Sequence, residues 1–180
     1  MSTAIESFAP AGRTLPAMLE QQCRRFPERT LLVAGDTRWR YADALRTAQA
    51  MGAVLQAAGI RVGDRVALMC GNRAEFLQAF LGCAWIGAVT VPVNTAVRGA
   101  TLRHILANSG ARLFVAEAEG LAALRGLEDR DGLPLEHVWR IDAPQEPGTE
   151  PFPAPGDALV DAAPVQPGDT LAILYTSGTT

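Results

Sequence analysis

The sequence predicts an α/β protein with a mostly parallel sheet flanked by helices. Short, almost continuously apolar segments alternate along the chain with segments whose apolar residues recur at helical spacing. Apolar runs without polar alternation are typical of strands that are buried on both faces of a sheet. The alternation of such strands with helices favours parallel strands joined by right-handed crossovers, because these connections place the helices on the faces of the sheet.

The composition is that of one globular domain and disfavours binding to nucleic acid or to a membrane. The chain has 180 residues, 48% of them hydrophobic and 19% charged, which is enough for one sizeable core. Its net charge of -3 gives no long-range attraction for a polyanion. No apolar run reaches the ~20 residues that a membrane-spanning helix needs, and the N-terminus lacks the residue order of a secretory signal.

Two residue types limit the chemistry. All 16 basic residues are arginine, so the chain contains no lysine. The three cysteines, Cys23, Cys70 and Cys83, are odd in number and widely separated. This pattern favours reduced thiols in the cytoplasm over a disulfide framework or a zinc site.

The first predicted elements are a helix and a hairpin. The helix begins after Thr14, because this residue can cap it with its hydroxyl and Pro16 suits its first turn. Apolar residues recur at helical spacing until Pro27 closes the helix. Two short strands, 30–33 and 38–41, are then predicted to pair as a hairpin.

A helix, a strand and a second helix follow. Apolar residues from 41 to 55 lie on one face of the first of these helices, and Gly59 suits a left-handed cap at its end. The strand is the apolar segment 65–70. Asn72 is predicted to cap the second helix, which ends near Gly87.

The same alternation continues to the middle of the chain. Segment 88–93 is predicted as a strand, the apolar positions of 102–106 as a helix ended by Gly110, and 112–116 as a third strand. Seven of the twelve prolines then lie within 143–168. Because proline has no backbone donor, this segment is expected to be an irregular surface connection, either a linker or an Ω-like loop packed on the domain.

The C-terminal segment contains the candidate site. A buried strand is predicted over 171–175, and it leads into Thr176, Ser177, Gly178, Thr179 and Thr180. Hydroxyls and exposed backbone N–H groups can surround a phosphate, while glycine lets the backbone approach it closely. The segment is not a Walker A loop, because that motif requires a lysine. By itself, such a segment is more often an ordinary solvated turn.

Segment 174–180, Leu-Tyr-Thr-Ser-Gly-Thr-Thr, resembles the opening of the signature loop of the adenylate-forming (AMP-binding) superfamily. In members of that superfamily the loop continues Gly-x-Pro-Lys-Gly and holds the phosphates of ATP. Three further segments match the superfamily in the expected order: 59–68, 84–94 and 102–112. The resemblance runs from about Thr14 to the last residue. Segment 92–95, Pro-Val-Asn-Thr, is similar to the acyl- and aryl-CoA ligase branch.

The resemblance implies that the chain is the N-terminal part of the large domain of an ATP-dependent carboxylate–CoA ligase. Such an enzyme joins a carboxylate to ATP, releases pyrophosphate, and passes the acyl group of the acyl-adenylate to coenzyme A. Mg²⁺ offsets the phosphate charge. By the same resemblance, the residues that bind the nucleotide are Thr176, Ser177, Gly178, Thr179 and Thr180. No catalytic or metal-binding residue is implied within the chain.

Residues 1–180 are therefore expected to form part of one AMP-binding domain. The expected divisions are a flexible start at 1–13, the proline-rich connection at 143–168, and a strand with a truncated phosphate loop at 170–180. The loop lysine and the other catalytic motifs of the family lie beyond this sequence, so we expect the chain to be inactive alone. Two other interpretations stay open: a non-catalytic binding module, or a fragment of another adenylating enzyme, such as a peptide-synthetase adenylation domain or a luciferase-like protein.

Several other residues are better explained by packing than by chemistry. His104 and His137 have no partner at a recognised metal-ligand spacing, and are expected on the surface or on helix faces. Cys70 and Cys83 lie in apolar segments and are expected to behave as small hydrophobes. The acidic residues of 128–131 are expected to form a solvated turn. Three tryptophans are expected to be packing anchors: Trp39, Trp85 and Trp139.

Overall fold

The computed structural model describes residues 9–176 of the chain. Its helices are α1 (Leu15–Arg25), α2 (Tyr41–Ala57), α3 (Ala74–Ile86), α4 (Gly99–Ser109) and α5 (Ala118–Arg125). Its strands are β1 (Thr30–Ala34), β2 (Thr37–Arg40), β3 (Arg65–Met69), β4 (Val89–Pro92), β5 (Ala111–Ala116), β6 (His137–Arg140) and β7 (Glu150–Pro151). Short 3₁₀ turns lie at Pro10–Gly12 and Arg130–Gly132.

The strands form a small hairpin and one larger sheet. β1 and β2 pair antiparallel, as predicted. The other five strands follow the order β4-β3-β5-β6-β7, and each neighbouring pair in that sheet is parallel. The predicted α/β fold, with a mostly parallel sheet flanked by helices, is therefore confirmed.

Two hydrophobic cores cover the two faces of the sheet. Alternate residues of a strand point to opposite faces, so Val66 and Leu68 of β3 belong to one core while Ala67 and Met69 belong to the other. Helices α1, α2 and α3 close the first core, and α4 and α5 close the second. The predicted packing anchors all lie buried in the first core: Trp39, Trp85 and Trp139.

The helix ends follow from local sequence signals. The hydroxyl of Thr14 accepts a hydrogen bond from the backbone N–H of Ala17 at 3.4 Å, which confirms the predicted start of α1. Gly59, Gly87 and Gly110 follow α2, α3 and α4 with φ angles of 80°, 72° and 64°. These left-handed conformations favour glycine, and the predicted ends of the three helices are confirmed.

One predicted cap is wrong. Asn72 does not cap α3, because the helix begins at Ala74 and Arg73 occupies the capping position without a side-chain cap. The guanidinium of Arg73 pairs instead with Glu75 and Glu117. The backbone of Arg73 is extended, and Asn72 lies one residue before the capping position.

Two glycines let α2 and α3 approach each other closely. A Cβ atom at Gly82 would lie 2.6 Å from Cγ and 2.8 Å from Cβ of Met51. A Cβ atom at Gly52 would lie 2.9 Å from Cγ2 of Ile86. These separations are shorter than van der Waals contact, so the packing of the two helices depends on the missing side chains.

The proline-rich connection packs on the domain. Trp85 Nε1 donates a hydrogen bond to the carbonyl of Val160 at 2.8 Å. The backbone N–H of Ala163 donates to the carbonyl of Trp85, also at 2.8 Å. Earlier in the segment, the ring of Phe152 meets the edge of Trp139 at a centroid distance of 6.0 Å. The connection therefore packs against α3 and β6 and is not a detached linker.

We predict that Trp85→Phe loosens this connection. Phenylalanine fills most of the buried ring site but cannot donate to Val160, so the free energy of unfolding should fall by about 1.5 kcal/mol. Limited proteolysis should then cut faster within residues 152–163. Trp39→Phe is the matched control, because it shortens another buried tryptophan that has no hydrogen bond to the connection. Equal cleavage rates in the two variants would contradict the prediction.

Candidate functional site

The segment that leads to the predicted phosphate loop runs beside β4. Ala172 forms a parallel bridge with Thr90 of β4. The backbone N–H of Thr90 donates to the carbonyl of Leu171 at 3.1 Å, and that of Ile173 donates to the carbonyl of Thr90 at 2.9 Å. The Thr90 hydroxyl also donates to the carbonyl of Leu171, at 3.2 Å.

This segment is not the buried strand that the sequence predicts over 171–175. The structure has one bridge there instead of a strand, and the exposed fractions of Leu171 and Leu174 are 41% and 71%. Ile173 and Tyr175 pack against the core that α4 and α5 close. A strand is buried on both faces only if other elements cover both faces, and among residues 9–176 none covers the side of Leu174.

Tyr175 is fixed to the exposed surface of α4. Its hydroxyl donates to Oδ1 of Asn108 at 2.7 Å. Its ring meets the ring of His104 edge-on, at a centroid distance of 6.2 Å and an interplanar angle of 88°. His104 thus lies on a helix face, as expected from the sequence.

Thr176 is the one predicted nucleotide-binding residue that the structure describes, and it is exposed. Because the bridge to Thr90 is parallel, the chain after Ala172 runs toward the carboxyl edge of the sheet. Ligands of open α/β sheets bind at that edge. The other predicted residues lie outside the described range, so their role stays a prediction: Ser177, Gly178, Thr179 and Thr180.

A cluster of ion pairs occupies the same edge of the sheet. Arg73 follows β3, Glu117 follows β5 and Asp142 follows β6. Arg73 Nη1 lies 2.7 Å from Glu117 Oε1, Arg73 Nε lies 2.7 Å from Glu75 Oε2, and Arg73 also contacts Asp142. Glu117 Oε2 accepts the backbone N–H of Gly71 at 2.8 Å. Arg73, Glu117 and Asp142 form part of the lining of a cavity of about 310 Å³.

The charges in this cluster satisfy each other. Hydrogen bonds from Arg73 hold the pKa of the Glu75 carboxyl below its usual range, and the hydrogen bond to Glu75 is the main cause that raises the pKa of Arg73. A guanidinium already paired with three carboxylates has no free donor pair for a phosphate. The cluster therefore ties together the ends of three strands and is not an anion site.

No motif in the sequence predicts this cluster, although a weaker signal for it exists. Arg73 and Glu117 each come shortly after an apolar segment that was predicted as a strand. Polar residues that follow parallel strands meet at one edge of the sheet. Their separation along the chain hides the contact, because no local motif joins positions 73, 117 and 142.

Two larger clefts lie away from Thr176. A cleft of about 710 Å³ lies beside β6 and β7, on the side of the sheet that is farthest from β4. His137 and Glu150 line it, and His137 Nδ1 lies 3.0 Å from Glu150 Oε1. A groove of about 530 Å³ lies at the amino ends of β3 and β4, between Val62 and Val165. Neither cleft is lined by Thr176.

Two kinds of feature are absent from residues 9–176. In this range, no group of three or more His, Cys, Asp or Glu could hold a metal ion. None of the helices there is both long and apolar enough to cross a membrane.

Two of the three cysteines are buried. Cys70 is 9% exposed, and burial raises the pKa of its thiol to about 11. Cys83 is fully buried, and burial raises the pKa of its thiol as well. Since the thiolate is the nucleophile, neither thiol is suited to covalent catalysis at neutral pH.

We predict that an alkylating reagent at pH 8 modifies Cys23 first. This residue is half-buried, whereas Cys70 and Cys83 are buried in the core, where their raised pKa keeps them protonated. Mass spectrometry of tryptic peptides should show one modified cysteine in the folded chain and three after unfolding in guanidinium chloride. Rapid modification of Cys83 without denaturant would contradict the packing of α3.

These features define a class of protein. The parallel sheet and the helices on both of its faces match the N-terminal α/β fold of adenylate-forming enzymes. The AMP-binding enzyme family model matches residues 19–180, so the chain belongs to that family. Its relatives place it in the acyl-CoA ligase branch, as the sequence motifs predicted.

Two similar bacterial proteins are CoA ligases. The chain is 37% identical over 177 residues to the 3-[(3aS,4S,7aS)-7a-methyl-1,5-dioxo-octahydro-1H-inden-4-yl]propanoyl:CoA ligase of Mycobacterium tuberculosis. The aligned region covers 93% of this chain and 35% of that protein. It is 32% identical over 180 residues to the crotonobetaine/carnitine–CoA ligase of Salmonella arizonae. That aligned region covers 94% of this chain and 35% of the relative. The chain thus spans about a third of the length of these relatives.

A solved structure shows the same fold. The crystal structure of the anthranilate CoA ligase AuaEII in complex with anthranoyl-AMP superposes with a TM-score of 0.81. The superposition covers 98% of this chain and 33% of that one, at 24% sequence identity.

Proposed function

We propose that this chain is the N-terminal part of an ATP-dependent carboxylate–CoA ligase. The complete enzyme would join a carboxylate to ATP with release of pyrophosphate, and the thiol of coenzyme A would then displace AMP from the acyl-adenylate. The observation that carries the proposal is the course of residues 171–176, which run parallel to β4 toward the carboxyl edge of the sheet. The signature sequence of the family continues from that point.

In this proposal the chain contributes to ATP binding and not to bond formation. Backbone N–H groups and hydroxyls of Thr176, Ser177, Gly178, Thr179 and Thr180 would surround the phosphates. Mg²⁺ would supply charge compensation to the departing pyrophosphate, and none of the residues 9–176 is assigned to it. Arg73 is fully paired and two of the cysteines are buried thiols, so these groups are not assigned as catalysts.

We also propose the division of the chain within such an enzyme. Residues 1–180 would be part of one AMP-binding domain, with a connection at 143–168 and, at 170–180, the segment bridged to β4 followed by the first half of the phosphate loop. Apart from the two-residue strand β7, the connection has no helix or strand, and this course and its contacts with Trp85 support the division. In an assembled enzyme, the exposed side of Leu174 would be covered by later parts of the chain. The reduced thiols fit a cytoplasmic protein.

ATP–pyrophosphate exchange tests the proposal. The 180-residue chain and a form extended downstream to the length of its relatives would be assayed with Mg²⁺ and a panel of aliphatic, aromatic and alicyclic carboxylates. We expect exchange that depends on carboxylate in the extended form and none in the 180-residue chain. Gly178→Val should abolish the exchange, whereas Gly156→Val should leave it intact, because a side chain at Gly156 meets nothing within 4 Å.

Each outcome of this assay decides a part of the proposal. Exchange by the purified 180-residue chain would contradict its expected inactivity. An extended form that exchanges pyrophosphate with no carboxylate of the panel and forms no acyl-CoA would overturn the ligase assignment.

A further inference from the structure

We infer that Asn108 and Tyr175 form a positioning pair that fixes the point at which the phosphate-binding segment leaves the sheet. The inference rests on the proposed function and assigns a role to a contact between α4 and the C-terminal segment. The pair is assigned a positioning role and shares no residue with the ion-pair cluster at Arg73.

The segment has few other attachments near its end. Its bridge to β4 consists of two backbone hydrogen bonds and the Thr90 hydroxyl, all to residues 171 and 173. Beyond that bridge, the hydrogen bond from Tyr175 to Asn108 is the next fixed point before Thr176. A change in this one contact would therefore alter the position and direction of the residues that follow.

The helix turn that carries Asn108 is held firmly. Ile105 is buried in the core, and the hydroxyl of Ser109 donates to its carbonyl at 2.6 Å. The guanidinium of Arg65 donates to the carbonyls of Ser109 at 2.6 Å and Gly110 at 2.9 Å. Arg65 thus satisfies carbonyls that would otherwise lack partners at the end of α4. Because Asn108 lies within this turn, the backbone that carries its side chain is fixed.

The ring of Tyr175 is held by the same face of α4. His104 and Asn108 are four residues apart, so their side chains are neighbours on the helix surface. His104 meets the Tyr175 ring edge-on while Asn108 accepts its hydroxyl. Two separate contacts therefore set the orientation of the tyrosine that directly precedes Thr176.

Amide exchange in the 180-residue chain tests whether the pair holds the segment. The backbone amides of Thr90 and Ile173, which donate across the bridge, report its detachment. Tyr175→Phe and Asn108→Ala should each raise their exchange rates about fivefold, the effect of one typical hydrogen bond. Asn108→Asp keeps an oxygen acceptor and should exchange as the wild type. The amide of Val93, which donates to Leu68 between β3 and β4, should not change.

Kinetics in the extended form test whether the pair acts on the nucleotide. Tyr175→Phe and Asn108→Ala should lower kcat/KM for ATP about fivefold. They should leave KM for the carboxylate and for coenzyme A unchanged, whereas general destabilisation would affect all substrates alike. Tyr41→Phe removes the other tyrosine hydroxyl of the chain and serves as the control in both experiments.

The two experiments separate the inference from the proposed function. Faster amide exchange together with an ATP-specific kinetic loss supports the pair. Unchanged amide exchange, or a loss shared by all substrates, overturns it even if the extended form is an active ligase. If no extended form shows ligase activity but the two variants still free the amides of Thr90 and Ile173, the proposed function fails and the pair stands as the support of this segment.

Discussion

Replacing Gly82 with valine should lower the free energy of unfolding by about 3 kcal/mol, because α2 and α3 would have to separate. A Cβ atom at this position would lie 2.6 Å from Cγ, 2.8 Å from Cβ and 3.1 Å from the backbone carbonyl carbon of Met51. The end of a methionine side chain can swing away, but its Cβ and its backbone cannot move without the helix. The gain in helix propensity from replacing glycine is at most about 1 kcal/mol and does not offset this clash.

Urea denaturation followed by circular dichroism measures the effect. Gly156→Val is the matched control, because a side chain at that position meets nothing within 4 Å and should change the unfolding free energy by no more than about 0.5 kcal/mol. If the two variants had the same denaturation midpoint, the close packing of α2 on α3 would be refuted.

Arg73→Met should lower the free energy of unfolding by about 2 to 3 kcal/mol at pH 7. Methionine keeps most of the aliphatic volume but leaves Glu75, Glu117 and Asp142 close together without their cation. Removing one partner of a buried ion pair costs about 3 to 5 kcal/mol, and the 23% exposure of the Arg73 side chain places the effect at or below the lower end of that range. The same denaturation experiment measures it.

The loss in Arg73→Met should depend on pH. Arg73 holds the pKa of Glu75 below its usual value in the folded state. A carboxyl group whose pKa is depressed by folding contributes stability that is present above its unfolded pKa, near 4.5, and is lost as the pH falls through its folded pKa. The difference between wild type and variant should therefore be constant from pH 7 to about pH 5 and shrink below pH 4.5.

Arg40→Met is the control for this pH dependence. Arg40 pairs with Asp43 and Glu28 at the surface, where solvent screens the interaction, so the loss should be much smaller than for Arg73. A difference between wild type and Arg73→Met that stayed constant down to pH 3 would show that the carboxylates of the cluster do not depend on Arg73.

The sequence predicts the parallel core of the fold well, because local signals and burial agree there. β3, β4 and β5 are almost continuously apolar, and the helices between them end at glycines whose φ angles are positive. α5, β6 and β7 were not predicted. β6 alternates less clearly, with Trp139 buried between partly exposed neighbours, and β7 has only two residues. Such short strands depend on pairing with a neighbour instead of on their own sequence.

The candidate site was predicted from resemblance more than from physical chemistry. The Ser/Thr and Gly run at the C-terminus gives no more than a weak local signal, whereas the order of several motifs identifies the family. The contacts of Tyr175 with Asn108 and of Trp85 with Val160 could not be predicted, since each joins residues more than 60 positions apart. Only the three-dimensional arrangement of the helices brings these residues together.

The strand order β4-β3-β5-β6-β7 has a consequence for how the chain folds during synthesis. β3 emerges first, β4 and β5 then add to its two sides, and β6 and β7 extend the β5 side. Residues 171–173 finally join the free side of β4. Each new strand attaches to an existing border and none must be inserted between strands that are already paired. The chain can therefore assemble its sheet from the N-terminus onward as it leaves the ribosome, without first breaking earlier pairings.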